Sequence, residues 1–108
     1  MTVAAPAEVF AALGDPHRLA LVQQLSREGQ ATATTLAAPL PVSRQAVTKH
    51  LQVLEGAGLL RSHRTGREVL YVVRPDALAR QARWLDDIAV TWERRLAGVK
   101  AAAEKGAD

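Results

Sequence analysis

Hydrophobic positions near the N-terminus recur at helical spacing. Val9, Phe10 and Leu13 share one face of a segment from Pro6 to Leu13, which predicts a first helix ended by Gly14. Asp15 then reads as an N-cap, with Pro16 at the first helical position. The second helix is expected to turn Leu19, Val22 and Leu25 inward, with Leu21 at its edge, and to stop near Ser26 before Gly29. Ala31–Ala38 predicts a short helix capped by Thr32, Thr34 or Thr35. Pro39-Leu40-Pro41-Val42 cannot continue it, because each proline restricts the residue before it. Ser43 is a good N-cap for a longer helix ending at Gly56 or Gly58. A short helix, a tight turn and a longer helix are the layout of a helix-turn-helix.

The period changes at Leu59. Leu59–Arg64 and Glu68–Val73 read as two strands, the second rich in strand formers. Thr65-Gly66-Arg67 between them supplies a glycine for the positive φ of a hairpin turn. Arg74-Pro75 opens a last helix. Its apolar seam is Leu78, Ala82, Leu85, Ala89, Trp92, Leu96, Val99 and Ala103, a heptad spacing, with Trp84 and Ile88 as a second edge. A face that broad must be covered, by its own domain or by a second copy, and a small domain has little surface for so long a helix. The tail from Glu104 to Asp108 is expected to fray.

A chain of 108 residues predicts one domain, and 48% hydrophobic residues can fill its core. Aromatics are only 4%, so that core must be leucine, valine and alanine. No apolar run is long enough to span a membrane, and the N-terminus does not read as a signal peptide. Cysteine is absent, which excludes disulfides, thiolate metal sites and a cysteine nucleophile. Together these features predict a cytoplasmic protein. Charge placement adds more. Residues 43–74 hold six basic and two acidic side chains, a net +4, whereas residues 1–42 carry −1 and residues 75–108 carry 0. A polyanion suits such a patch, and nucleic acid is the commonest one. A solvated basic surface is the plainer reading.

The helix after the turn sharpens the choice. At 100° per residue, Val47, Leu51 and Leu54 cluster on one side, flanked by Ala46 and His50. Gln45, Thr48, Lys49 and Gln52 lie opposite, with no acidic residue among them, and Glu55 falls to one edge. Glutamine can pair with adenine in the major groove, lysine and arginine with guanine or phosphate, and threonine with a base or a thymine methyl. Ser43 and Arg44 sit at the helix N-terminus, which attracts phosphate. Arg61, His63, Arg64 and Arg67 crowd the hairpin turn, where Arg64 and Arg67 suit a phosphate backbone or an adjacent minor groove.

Several motifs resemble the ArsR/SmtB family of bacterial winged-helix repressors. They are Leu13-Gly14-Asp15-Pro16-His17-Arg18, Val42-Ser43-Arg44-Gln45-Ala46-Val47-Thr48-Lys49-His50-Leu51, Leu54-Glu55-Gly56-Ala57-Gly58-Leu59-Leu60 and the hairpin Arg64-Thr65-Gly66-Arg67-Glu68-Val69-Leu70-Tyr71. The resemblance covers nearly the whole chain. It implies a homodimer whose first and last helices form the interface, which assigns Val9, Phe10, Leu78, Leu85, Ile88, Trp92, Leu96 and Val99 to it. It makes Ser43, Arg44, Gln45, Thr48, Lys49 and Gln52 the recognition-helix candidates, and Arg64 and Arg67 the wing candidates. His50 reads as structural, and Arg18 as an internal ion pair in preference to a phosphate contact.

Departures from the family matter as much. Classical members sense metals through cysteines, or through His with Asp or Glu on the last helix. Residues 75–108 contain no histidine, and His17, His50 and His63 lie on three different elements. Asp86, Asp87 and Glu93 alone make a poor zinc site, so neither metal nor cofactor is expected. Trp84 and Trp92 resemble a branch of the family that does not sense metals.

The expected fold is mainly α with a small β-hairpin: one winged helix-turn-helix domain over residues 1–108. Residues 6–13 and 75–103 form dimerisation helices, 32–56 the helix-turn-helix and 59–73 the wing. The expected function is a dimeric, sequence-specific DNA-binding repressor that occludes a promoter at an inverted repeat, with its own gene among the candidate targets. The partners are double-stranded DNA and a second copy of the chain, with no membrane. One alternative is a winged-helix protein-interaction module, which the basic wing argues against. Another is a ligand-responsive regulator with an unknown small molecule near Trp84 or Trp92, although dimer core explains both tryptophans. There is no phosphate loop, nucleophile motif or acid–base pair to suggest an enzyme.

Overall fold

The structure, a computed structural model, describes residues 4–106. By its own contacts the chain divides into two units, residues 1–78 and 79–108. The first unit holds α1 (Pro6–Leu13), α2 (Pro16–Glu28), α3 (Ala33–Ala37), α4 (Arg44–Gly56), β1 (Leu60–Thr65), β2 (Glu68–Val73) and the first turn of α5 (Pro75–Gly106). The second unit is the rest of α5.

Local chemistry sets the helix starts. Asp15 accepts hydrogen bonds from the amides of His17 (2.8 Å) and Arg18 (3.2 Å), and so satisfies two orphan donors of α2. Thr32 caps α3 by accepting from the Thr35 amide at 3.1 Å, and Ser43 caps α4 from the Ala46 amide at 3.1 Å. The end of α4 is equally defined. Gly58 has a φ of +81°, its amide donates to the Glu55 carbonyl, and the Leu59 amide donates to the Leu54 carbonyl. This is a Schellman closure, with Leu54 and Leu59 both buried beside it.

Leu21, Leu25, Leu36, Leu51, Leu54 and Leu59 are fully buried, the leucine core that an aromatic-poor chain requires. Each contributes about 1.5–3 kcal/mol. Two expectations for α2 are corrected. Leu21 points inward, whereas Leu19 is 44% exposed. The inner stripe is Leu21, Val22 and Leu25, and Leu19, two residues before Leu21, lies on the far side of the helix. The helix also runs to Glu28 and not Ser26, ending only where Gly29 takes a φ of +85°.

The hairpin pairs Leu60 with Val73 and Thr65 with Glu68. Gly66 and Arg67 form a two-residue loop, and only Gly66 has positive φ, at +63°. That is the sign pattern of a type II′ turn. β1 starts one residue later than the pattern predicts, because Leu59 completes the closure of α4. The hairpin also gains a partner the sequence did not announce. Ala31 forms an isolated antiparallel bridge with Tyr71, amide to carbonyl in both directions, at 3.3 and 2.9 Å.

Val9 is 2% exposed and belongs to the core of the first unit. Its expected place on a dimer interface is therefore corrected: on α1, Val9 and Ala12 face inward. Phe10 is half-buried. Leu78 is partly buried against the same core.

In the second unit the chain is helical from Ala79 to Gly106, about 42 Å at 1.5 Å per residue. The helix continues past Glu104, where fraying is expected from the sequence, as far as Gly106. Alanines 101–103 favour helix, and Lys105 suits the negative end of the helix dipole. Ala107 and Asp108 lie outside the described residues. Leu85, Ile88, Trp92, Leu96 and Val99 form an exposed apolar row, with Trp92, Leu96 and Val99 each at 59% or more. Among the described residues no helix is long and apolar enough to cross a membrane.

Candidate nucleic-acid interface

Val47, Leu51 and Leu54 anchor α4 in the core, so its opposite face is held rigidly outward. Arg44, Gln45, Thr48, Lys49 and Gln52 together line a shallow groove of about 480 Å³ on that face. All but Thr48 are exposed. The Thr48 hydroxyl donates to the Arg44 carbonyl at 3.0 Å, which leaves its methyl group and acceptor lone pairs for a partner. Ser43 spends its oxygen lone pair on the cap but keeps its hydroxyl proton for an acceptor outside.

A second cleft, of about 430 Å³, joins this face to the hairpin. Thr32, Thr34 and Thr35 from the start of α3 line it with Arg44 and Thr48 of α4 and Arg67 of the turn. Arg67 is thus brought to the N-terminal end of α4. Arg64, paired with Val69 on the hairpin, is exposed but does not line this cleft. The three threonines were legible in the sequence only as possible caps. They join the site because the tight turn after α3 folds them back beside α4.

The one acidic side chain of α4 is directed away from the groove. Glu55 Oε2 accepts from the amide of Ser62 at 3.1 Å and from its hydroxyl at 2.6 Å. Behind the groove, Arg18 takes a role different from the expected ion pair. Its Nε donates to the Ala12 carbonyl at 2.6 Å and its Nη2 to the Ala11 carbonyl at 3.3 Å, while Nη1 lies 3.4 Å from His50 Nδ1. Its hydrogen-bond partners are carbonyl oxygens and an imidazole: the Ala12 carbonyl gets no helical donor because Pro16, four residues on, has no N–H, and the Ala11 carbonyl also accepts from the Gly14 amide. His17 and His50, far apart in sequence, meet with ring centroids 5.8 Å apart. Among the described residues no three of His, Cys, Asp and Glu gather as metal ligands. On α5, Trp84 and Trp92 border a shallow groove with Asp87, Ile88 and Thr91.

Known proteins share this fold. Residues 13–63 match the family described as a helix-turn-helix domain. The chain is 37% identical over 97 residues to the HTH-type transcriptional regulator Rv2034 of Mycobacterium tuberculosis, covering 90% of this chain and 87% of that one. The solved structure of an ArsR-like transcriptional regulator from Rhodococcus sp. RHA1 superposes with a TM-score of 0.82 at 44% identity, over 91% of this chain and 92% of that one. The chain belongs to the ArsR/SmtB family. The HTH-type transcriptional repressor SmtB of Mycobacterium tuberculosis is 41% identical over 75 residues, 69% of this chain. The chain spans only about half of that repressor, 55% of its length. In ArsR/SmtB terms α3 and α4 are the helix-turn-helix and β1–β2 the wing, as the order of elements requires.

Proposed function

We propose that this ArsR/SmtB chain is a sequence-specific DNA-binding transcriptional repressor that acts as a homodimer in the cytoplasm. The acid-free outer face of α4, continued by Arg67 at one end, is the observation that carries this reading. Gln45, Lys49 and Gln52 are placed to read base edges in a major groove, with Thr48 offering its methyl group. Ser43, Arg44, Arg64 and Arg67 serve the phosphate backbone. The exposed row Leu85, Ile88, Trp92, Leu96 and Val99 on α5 is the surface a second copy would cover. Two-fold symmetry then requires an inverted repeat with half-sites about one helical turn apart, and the bound dimer blocks the promoter sterically.

Fluorescence anisotropy tests this reading. The protein is titrated into the DNA upstream of its own gene and into a scrambled duplex, across a salt series. Tighter binding to the native fragment with a steep negative salt slope is expected. Absence of binding to either duplex at low salt would sink the proposal.

A further inference from the structure

The hydrogen bonds of Glu55 tie the recognition helix to the wing at a single rung of the hairpin. Ser62 stands opposite Tyr71 in the register. The Ser62 amide points out of the hairpin to Glu55, and on the other edge the Tyr71 amide and carbonyl point out to Ala31. One rung is therefore held on both sides: by the end of α4, and by the residue before the cap of α3. Beyond it, residues 63–68 are all exposed. Gly66 lies four residues past Ser62, about 13 Å at 3.3 Å per residue. A tilt of about 10° at the rung would move the tip by about 2 Å, enough to break a hydrogen bond to a phosphate.

We infer that Glu55 is a positioning residue that sets where Arg67 stands relative to the reading face of α4. A carboxylate suits the task. One oxygen takes both donors of Ser62, fixing the strand and the serine rotamer together, and the 2.6 Å contact is short and charge-assisted. The Tyr71 phenol supports the placement: burial first, and then the charge of Glu55, raise its pKa above the usual tyrosine value. An acidic side chain on a helix that meets DNA would otherwise repel phosphate, and here it is turned into the hinge of the wing.

This inference rests on the DNA-binding reading. The test uses a duplex selected from random sequence by the wild-type protein, in a long form with flanks and a form trimmed to the bases α4 reaches. Glu55→Ala is expected to weaken binding to the long duplex about tenfold, the size of one charge-assisted hydrogen bond, and to leave the trimmed duplex unchanged. Glu55→Gln keeps an oxygen that accepts both bonds but not the charge, and is expected to recover most of the affinity that Glu55→Ala loses. Arg67→Ala is expected to cost less in the Glu55→Ala background than in wild type. Ser62→Ala provides the same comparison should Glu55→Ala fail to fold. Equal losses on both duplexes, no loss on either, or an unchanged cost of Arg67→Ala would overturn the positioning role while leaving DNA binding intact. A wild-type protein that selects no duplex would overturn both.

Discussion

Arg18 and His50 face each other across 32 positions of sequence, guanidinium Nη1 to imidazole Nδ1 at 3.4 Å. Arginine has no acceptor, so this contact is a hydrogen bond only in the tautomer that leaves Nδ1 as an acceptor. The same guanidinium holds two carbonyls at the end of α1. One side chain on α2 therefore joins the last turn of α1 to the inner edge of the recognition helix.

Replacing Arg18 with alanine takes the side-chain donor from the Ala12 carbonyl, while the Ala11 carbonyl keeps the Gly14 amide. Arg18→Ala is expected to destabilise the fold by about 1–3 kcal/mol in urea unfolding. His50→Ala should cost less, and the double variant less than the sum, because the two side chains share one contact. Fully additive losses would contradict the contact.

The cap on α2 predicts a pH dependence. The amide of Arg18 above all, helped by that of His17 and by nearby positive charge, holds the Asp15 carboxyl below its ordinary value of 3.8 against an opposing desolvation. A carboxylate depressed in the folded state contributes stability above the unfolded pKa, lost as pH falls through the folded one. Thermal melting temperature should therefore drop in acid. Asp15→Asn keeps a capping oxygen but not the charge, and part of that acid-side drop should disappear.

Gly66 carries a φ of +63° with open space around it, so strain and not a clash limits substitution there. Gly66→Val places a β-branched residue in that conformation and should cost about 1–3 kcal/mol. The damage is expected at the wing: weaker binding to a long duplex, with the amides of α2 and α4 still protected in hydrogen exchange. Unchanged DNA affinity would remove the wing from the interface.

Within the DNA-binding reading, two substitutions separate base reading from phosphate holding. Gln45→Ala should relax sequence preference with a loss of about 1–3 kcal/mol on the preferred duplex. Arg67→Ala should weaken binding to long duplexes of every sequence alike and reduce the log–log salt slope by about one. If Gln45→Ala altered neither specific nor nonspecific affinity, Gln45 would not face the groove.

Leu96 is 61% exposed within the apolar row on α5. Leu96→Glu puts a charge where a second copy would bury apolar surface. Sedimentation equilibrium is expected to shift from dimer toward monomer, whereas Glu93→Gln, a change of charge off that row, should leave it unmoved. A wild-type monomer at micromolar concentration would refute the interface.

The sequence by itself determined what depends on near neighbours. Asp15, Thr32 and Ser43 cap amides two or three residues away, and Gly66 permits the hairpin turn, so helix starts and the wing could be read locally. The reading face of α4 was legible too, because helical period alone separates Gln45 and Lys49 from Val47 and Leu51. Which leucine of α2 turns inward was decided only in the fold, where Leu21 and Leu25 share the inner stripe and Leu19 does not. Tertiary structure also decided that Val9 serves its own core, that Ala31 pairs with Tyr71, and that Arg18 meets His50 and carbonyls in place of a carboxylate. The physical reason is the same in each case. Caps and turns are satisfied within one turn of chain, but an unpaired acceptor or a sheet edge takes whichever donor packing delivers, and packing joins residues as distant as 31 and 71.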